Sequence, residues 1–161
     1  IMAKEKRIWE SSLRIRGVNY VESADYRLYD NANIANGYTG AIRTVARYST
    51  NTTLLSHSET GGTGGASRWT FTKDCYCLLT VSQDVLGNTD SNYWWQGVKR
   101  NGSFIGRHLV RRTSEWDQLS YQQSFQMSAN QYLEIAWGNT SGLTNADGSD
   151  WSHYCFTMWQ Q

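Results

Sequence analysis

Proline is absent from this sequence of 161 residues, which also has no long apolar run and almost no excess of charge. Because proline is absent, the turns must rest on Gly, Asn, Asp and Ser. The 15 Lys and Arg residues nearly balance the 14 Asp and Glu residues, so a net charge of +1 creates no field that would attract nucleic acid or an anionic membrane. The first segment, IMAKEKRIWESS, has no apolar signal-peptide core. These absences predict a protein made in the cytoplasm that neither binds nucleic acid nor inserts into a membrane.

Cysteine is scarce, and its spacing argues against a disulfide framework. Cys75 and Cys77 lie two residues apart in a predicted strand, so a bond between them would be strained, and Cys155 is left over. A zinc site made of the three thiols would be incomplete, because a second Cys-x-x-Cys or a His pair is missing. We therefore predict buried free thiols, with no metal and no other cofactor.

Helical periodicity is lacking as well, and alternation with a period of two takes its place. The segment RWTFTKDCYCLLTVSQ, residues 68–83, places aromatic and apolar residues on either side of a polar corner at Lys73-Asp74. Two later segments repeat this pattern, residues 118–137, with a turn at 128–130, and residues 151–159. The chain is therefore predicted to be a sheet protein without helices.

Residue alternation assigns the side chains of the later strands to two faces. In residues 118–137 the apolar face comprises Leu119, Tyr121, Phe125 and Met127, and the polar, uncharged face comprises Ser120, Gln122, Ser124 and Gln126. In the last strand the two faces are Tyr154, Phe156 and Met158 against His153, Cys155, Thr157 and Trp159. Asn101-Gly102 predicts a tight hairpin, and residues 30–40, 84–92 and 138–150 are predicted loops. Roughly eight to ten short strands with such turns predict an all-β antiparallel jelly-roll sandwich.

Aromatic residues are more abundant than a small core requires, with eight Trp and ten Tyr. Some of these rings are therefore predicted to lie on the surface, where they can stack on sugars while nearby polar side chains bind the hydroxyl groups. Trp94 and Trp95 must point to opposite faces of their strand, so only one of them can be a core residue. The candidate glycan-binding residues are Trp94, Trp95, Trp116, Trp151, Asn145, Asp147 and Asp150. For each Trp the alternative is packing in the core.

No constellation of catalytic residues is recognisable, so we predict that the chain is not an enzyme. His57, His108 and His153 lie in separate segments without the spacing of metal ligands. The glycine-rich residues 61–65 lack the Lys and the following helix of a phosphate-binding loop. The acidic residues 147–150 lack the later Glu of an EF-type calcium loop.

Four segments together resemble the C1q/TNF-like jelly roll in the form found in phage tail-fibre and head-fibre tips. The segments are SRWTFTKDCYCLLTVS, WWQGVKRNGSFI, LSYQQSFQMSANQYLEIAW and HYCFTMW, and the resemblance is strongest over residues 42–159. The residues that match the family pattern are Phe71, Lys73-Asp74, Tyr76, Asn101-Gly102, Leu133, Ile135 and Phe156. The chain departs from the pattern at Cys75, where Gly is usual, and at Asn130-Gln131, where Gly-Asp is usual. Both corners are therefore expected to be built differently.

The resemblance implies a homotrimer displayed on a particle rather than a catalyst. Residues 1–12 are predicted to form a tail, or an arm that docks on the particle through Arg7, Ile8 and Trp9, and residues 13–161 to form the single jelly-roll domain. The preferred function is a virion-surface adhesin or fibre tip that contacts host-cell glycan. The alternatives are a capsid decoration or head-fibre subunit that binds neighbouring virion proteins, and a secreted C1q-like lectin domain.

Overall fold

The computed structural model describes residues 20–28, 32–34, 39–42, 44–46, 52–62, 66–87, 93–111, 116–139, 144–146 and 152–160. The strands are Tyr20–Leu28 (β1), Ala32–Ile34 (β2), Thr39–Ala41 (β3), Thr44–Ala46 (β4), Leu55–Ser58 (β5), Arg68–Phe71 (β6), Cys75–Gly87 (β7), Tyr93–Arg100 (β8), Ser103–Arg111 (β9), Trp116–Met127 (β10), Tyr132–Asn139 (β11), Thr144–Ala146 (β12) and His153–Gln160 (β13). These ranges contain no helix, and hence none that could cross a membrane. The all-β prediction is confirmed.

The strands form two antiparallel sheets that face each other. Sheet A has the order β10-β7-β13-β1-β4, and β12 and β2 extend it beyond the end of β13, beside the last residues of β7. Sheet B has the order β5-β6-β11-β8-β9, and β3 pairs with the second half of β11. The chain therefore folds into a two-layer antiparallel sandwich, as the sequence predicts.

The core lies between the sheets and is built from the alternate residues that the sequence assigns to the apolar faces. The inner face of β10 buries Leu119, Phe125 and Met127, and that of β13 buries Tyr154, Phe156 and Met158. The largest fully buried side chains include two tryptophans, Trp69 and Trp137. The rings of Trp69 and Phe156 lie 5.1 Å apart, so β6 of sheet B packs directly on β13 of sheet A.

Two corners carry the chain between the sheets, and they are hydrogen-bonded to each other. The corner at residues 72–74 joins β6 to β7, and Asp74 accepts a hydrogen bond of 2.8 Å from the Ala129 backbone N–H in the corner between β10 and β11. The backbone N–H of Asn130 donates to the carbonyl of Phe71. Asn130 has a φ of 68°, a conformation that Asn tolerates better than most residues, so it takes the place of the usual Gly.

The predicted loops are partly wrong, and the predicted count of strands is too low. The loop predicted at residues 84–92 begins later, because β7 continues to Gly87 with β10 on one edge and β12 on the other. The loops predicted at residues 30–40 and 138–150 contain the short strands β2, β3 and β12. Three-residue strands are too short to show alternation, which is why the described residues alone contain thirteen strands instead of the expected eight to ten.

Candidate functional site

The hairpin of β8 and β9 carries an aromatic and cationic surface on the outer face of sheet B. We call it the hairpin patch, and its members are Trp95, Lys99, Phe104, Arg107 and Leu109. Trp95 pairs with Leu109, and Lys99 pairs with Phe104, so all of these side chains leave the same face. Phe104 is 37% exposed and Leu109 is 61% exposed, values that are unusual for large apolar side chains.

The turn that forms this hairpin was predicted from Asn101-Gly102. Asn101 has a φ of 50° and Gly102 a φ of 82°, the two left-handed conformations that a type I′ turn requires. A register shift between Val98 and Lys99 places one extra residue in β9. The shift brings Arg107 opposite Gly97 on the outer face.

Cationic side chains lie over aromatic rings in the hairpin patch. The rings of Trp95 and Phe104 lie 5.7 Å apart, edge to face. The Arg107 guanidinium lies 4.8 Å from the Trp95 ring centre and 4.5 Å from the Phe104 ring centre. The Lys99 ammonium lies 4.7 Å from the Phe104 ring centre. Cation–π attraction at these distances fixes the charged groups over the rings, so one small surface offers both apolar and cationic contacts.

Gly97 makes this arrangement possible. A side-chain Cβ at position 97 would lie 2.5 Å from the Cε1 atom of Phe104, which is too close for any residue other than glycine. The Phe104 ring therefore rests directly on the β8 backbone, beside Trp95. The close approach lets the edge of one ring meet the face of the other at an interplanar angle of 75°.

The outer face of sheet A has a different character, because it is largely uncharged. We call it the uncharged face, and it comprises Tyr76, Leu78, Thr80, Ser120, Gln122, Ser124, Gln126, Thr157 and Trp159. The β10 members are all exposed, and the members from β7 and β13 are half-buried. Tyr76 and Trp159 stack with their ring centres 6.1 Å apart. Three adjacent strands thus present hydroxyl, amide, aliphatic and aromatic groups, and the uncharged face ends at Asp84 of β7, which accepts a hydrogen bond from Gln118.

The structure places some of the predicted site residues and leaves others outside the residues that it describes. Trp95 is half-buried on the outer face of sheet B, so it is the outward member of the Trp94–Trp95 pair. Trp94, Trp116 and Asn145 lie in β8, β10 and β12, but their side chains are outside the described part. The other predicted site residues, Trp151, Asp147, Asp150, Arg7, Ile8 and Trp9, lie wholly outside it.

Each histidine is held by neighbouring side chains. His57 shares a hydrogen bond of 3.1 Å with Thr44 and packs against Tyr26, and burial lowers its pKa below the ordinary 6.5, although Glu59 acts in the opposite direction. The His108 ring stacks on Tyr121 with 3.6 Å between the ring centres. His153 lies beside an aspartate of sheet A.

The three thiols point to opposite faces of sheet A. Cys75 and Cys77 are buried in the core, where burial above all, and the charge of Asp74, raise the pKa of Cys75 to about 11. Burial raises the pKa of Cys77 further. Cys155 is only half-buried and lies on the outer face, so it cannot share a metal with the other two. The predicted free thiols are confirmed, but burial holds for only two of them.

Comparison with known proteins identifies the fold. No known family profile matches the chain, and no curated protein is similar to it in sequence. Murine APRIL at pH 8.0 superposes with a TM-score of 0.65 at 8% identity, covering 88% of this chain and 100% of that one. Eiger TNF from S. frugiperda superposes with a TM-score of 0.60 at 11% identity, covering 88% and 93% respectively. At this low identity the similarity establishes only the architecture. The chain is an antiparallel jelly roll of the C1q/TNF-like type, as predicted from its sequence.

Proposed function

We propose that this chain is a non-enzymatic surface protein of a phage-like particle that binds glycan through the hairpin patch. The single observation that carries this proposal is the platform of Trp95 and Phe104 with Arg107 over both rings. Aromatic rings bind the C–H faces of sugars, and a few convergent polar groups fix the orientation of the ligand.

The charges of the hairpin patch favour acidic glycans of the host-cell surface. The Lys99 ammonium lies over the Phe104 ring and the Arg107 guanidinium over both rings, and none of the five members of the hairpin patch is acidic. A guanidinium can bind a sugar carboxylate or phosphate through two parallel hydrogen bonds. A bound acidic sugar would stack on the aromatic rings while its anionic group contacts Arg107.

Replacing Trp95 by alanine is expected to weaken glycan binding at least about tenfold, because it removes half of the stacking platform and a partner of Arg107. The measurement is binding to an array of bacterial surface polysaccharides, followed by titration of the best ligand. Tyr132→Ala is the matched control, because Tyr132 is also a half-buried ring with an arginine, Arg68, stacked on it at 3.9 Å, outside the hairpin patch. Equal losses in both variants would exclude the hairpin patch as the site.

The uncharged face supports self-association, and we propose that the chain forms a homotrimer through it. The cores of protein interfaces are depleted of charged residues and enriched in aromatic ones. Stacked Tyr76 and Trp159, together with the row of Ser and Gln side chains on β10, have this composition. Trimerisation would also repeat the hairpin patch three times, so that weak single contacts add up to high avidity.

Ser124→Glu is expected to convert the proposed trimer into a monomer, because three buried carboxylates would each lose their hydration at the interface. The measurement is the mass in solution by light scattering. Ser56→Glu, an exposed position on β5 of sheet B, is the control and should remain trimeric.

A trimer that persists after deletion of residues 1–12 supports the adhesin proposal. A wild-type monomer, or a trimer that is lost with those residues, contradicts it. Either result favours the alternative of a capsid decoration subunit whose partner is the particle itself.

A further inference from the structure

Three metal-ligating side chains meet on the outer face of sheet A, away from the hairpin patch. Asp25 on β1 and Cys155 on β13 are directly paired, and His153 precedes Cys155 by two residues, so all three side chains leave the same face. One potential ligand atom of each residue lies within 4.8 Å of the other two. The Cys155 Sγ atom lies 3.1 Å from Oδ1 of Asp25, and Nδ1 of His153 lies 3.6 Å from Oδ2.

The three side chains lie slightly farther apart than the ligand atoms of a tetrahedral metal site. Metal–ligand bonds of about 2.0–2.3 Å place the donor atoms of a tetrahedral zinc site about 3.3–3.8 Å apart. The separations of 3.1 Å and 3.6 Å are of similar size but end on different oxygens of Asp25, and one ligand atom of each residue lies within 4.8 Å of the other two. Binding of one ion would require the side chains to rotate until one Asp25 oxygen, the Cys155 sulfur and one His153 nitrogen lie about 3.3–3.8 Å apart.

The donor set selects for a transition metal. A thiolate and an imidazole prefer zinc and its neighbours in the first transition series, whereas Ca²⁺ and Mg²⁺ prefer sites made of oxygen alone. The charges of the Cys155 thiolate and the Asp25 carboxylate together balance those of a divalent cation. Without a metal the Cys155 thiol donates its hydrogen to Asp25, so the ion would replace a single proton between two groups that are already in contact.

The ligands are both rigidly held and accessible from solvent. β13 lies between β7 and β1 in sheet A, so two of the ligands sit on a strand that is paired along both edges. The side chain of His153 is 36% exposed and that of Asp25 is 21% exposed, which leaves a path for an ion. On β7, Thr80 pairs with Cys155 and Ser82 pairs with His153, so two half-buried residues with hydroxyl groups flank the ligands.

We propose that Asp25, His153 and Cys155 bind one zinc ion, with the fourth coordination position open to water or to a donor atom of another molecule. This proposal is independent of glycan binding and does not require the trimer. It replaces the sequence prediction that the chain holds no metal. That prediction grouped Cys155 with Cys75 and Cys77, whose side chains face the core.

Titration of the reduced, metal-free protein with Co²⁺, a spectroscopic substitute for Zn²⁺, tests the site. We expect one equivalent to bind, with a thiolate-to-metal charge-transfer band and the strong visible absorption of a tetrahedral complex, and we expect Zn²⁺ to displace it. Cys155→Ser, His153→Gln and Asp25→Asn should each weaken binding by more than about 100-fold, since changing even an outer-sphere partner typically costs 10–100-fold. Zn²⁺, but not Mg²⁺, should raise the unfolding temperature of the wild type.

Two matched controls separate this site from nonspecific binding. Cys75→Ala removes one thiol and His108→Gln removes one imidazole elsewhere in the chain, and both variants should bind Co²⁺ as the wild type does. Absence of a one-equivalent complex at micromolar Co²⁺ and Zn²⁺ would overturn the proposal. So would unchanged binding in Cys155→Ser, or loss of binding in Cys75→Ala.

Discussion

Glu22→Gln is expected to lower the free energy of unfolding by about 3 kcal/mol, because it breaks a set of charge-assisted hydrogen bonds in the core. Glu22 is only 6% exposed, although it lies on a strand of alternating inward and outward residues. Its carboxylate accepts hydrogen bonds from the backbone N–H of Thr53 at 2.9 Å and of Leu54 at 2.8 Å, and from the Thr53 hydroxyl at 2.7 Å. These bonds tie β1 of sheet A to the segment that leads into β5 of sheet B.

Glutamine has the same shape but the wrong hydrogen-bonding groups. A carboxylate has only hydrogen-bond acceptors. Two of the groups that donate to Glu22 are backbone N–H groups, which cannot rotate away. The amide NH₂ group of glutamine would face at least one of these donors. The variant therefore loses the charge assistance of every one of these bonds, and only the amide oxygen, at the position of Oε2, still accepts from the backbone N–H groups of Thr53 and Leu54.

The same carboxylate should make stability depend on pH. Burial alone raises the pKa of Glu22, but the hydrogen bonds from Thr53 and Leu54 outweigh burial, so its pKa lies below the ordinary 4.5. A carboxyl group with a lowered pKa in the folded state binds fewer protons than in the unfolded state. Its contribution to stability is therefore complete above pH 4.5 and is lost as the pH falls through the folded-state pKa.

Urea unfolding at pH 7 and at a series of values down to about pH 3 measures both effects. The gap in stability between wild type and Glu22→Gln should be largest at pH 7 and should narrow as the pH falls below 4.5. Glu59→Gln is the control, because Glu59 is exposed, and its stability should stay within about 0.5 kcal/mol of wild type. A gap that is constant over the whole pH range would show that the charge of Glu22 is not what stabilises the fold.

The sequence predicts most of the core but not this interaction. Alternation correctly assigns the faces of β10 and β13, because these strands are long and their two faces differ clearly in polarity. Glu22 lies on an inward position that alternation would give to an apolar residue. Its partners Thr53 and Leu54 are 31 and 32 residues away along the chain. Only the fold brings them together, and a single sequence carries no signal for such a contact.

The hairpin patch shows a second limit of sequence reasoning. Asn101-Gly102 fixes the turn and pairs Arg100 with Ser103 and Lys99 with Phe104. Continued without interruption, this register would place Arg107 on the inner face, opposite Gln96. The register shift at Val98/Lys99 moves Arg107 to the outer face instead, opposite Gly97 and beside the rings. A bulge leaves little mark in the residue pattern, so the sequence predicts Trp95 as a site residue but not Arg107.

A buried chain of hydrogen bonds connects the two sheets. The sequence does not show which of its polar residues bond to one another. Tyr121 on β10 donates to Gln96 on β8 at 2.8 Å, and Gln96 donates to Tyr154 on β13 at 3.1 Å. Tyr154 donates to Gln83 on β7 at 2.5 Å. Burial is the main reason that the pKa values of Tyr121 and Tyr154 are raised, so both phenols remain protonated and keep donating. Gln96 and Gln83 are fully buried, which makes the cost of an unmatched partner high.

Gln96→Leu is expected to lower the free energy of unfolding by about 2–3 kcal/mol, because it removes two buried hydrogen bonds and deprives the Tyr121 hydroxyl of its acceptor. Tyr121→Phe alone should cost about 1–2 kcal/mol, since it removes one hydrogen bond and leaves the buried Gln96 oxygen without this donor. In the double variant the apolar Leu and Phe side chains suit each other. Its loss should therefore be smaller than the sum of the two single losses by about 1 kcal/mol.

The measurement is a double-mutant cycle, in which urea unfolding is compared for the wild type, the two single variants and the double variant. The control cycle combines Gln96→Leu with Tyr132→Phe, which lies on the outer face of sheet B. Losses of Gln96→Leu and Tyr132→Phe should simply add, because no hydrogen bond joins these positions among the described contacts. Additive losses in the Gln96/Tyr121 pair would contradict the chain of hydrogen bonds as a connected unit. A coupling free energy found only for the Gln96/Tyr121 pair would show that buried polar groups hold β8 of sheet B in place against β10 of sheet A. These groups would then also fix the position of the hairpin patch relative to the uncharged face.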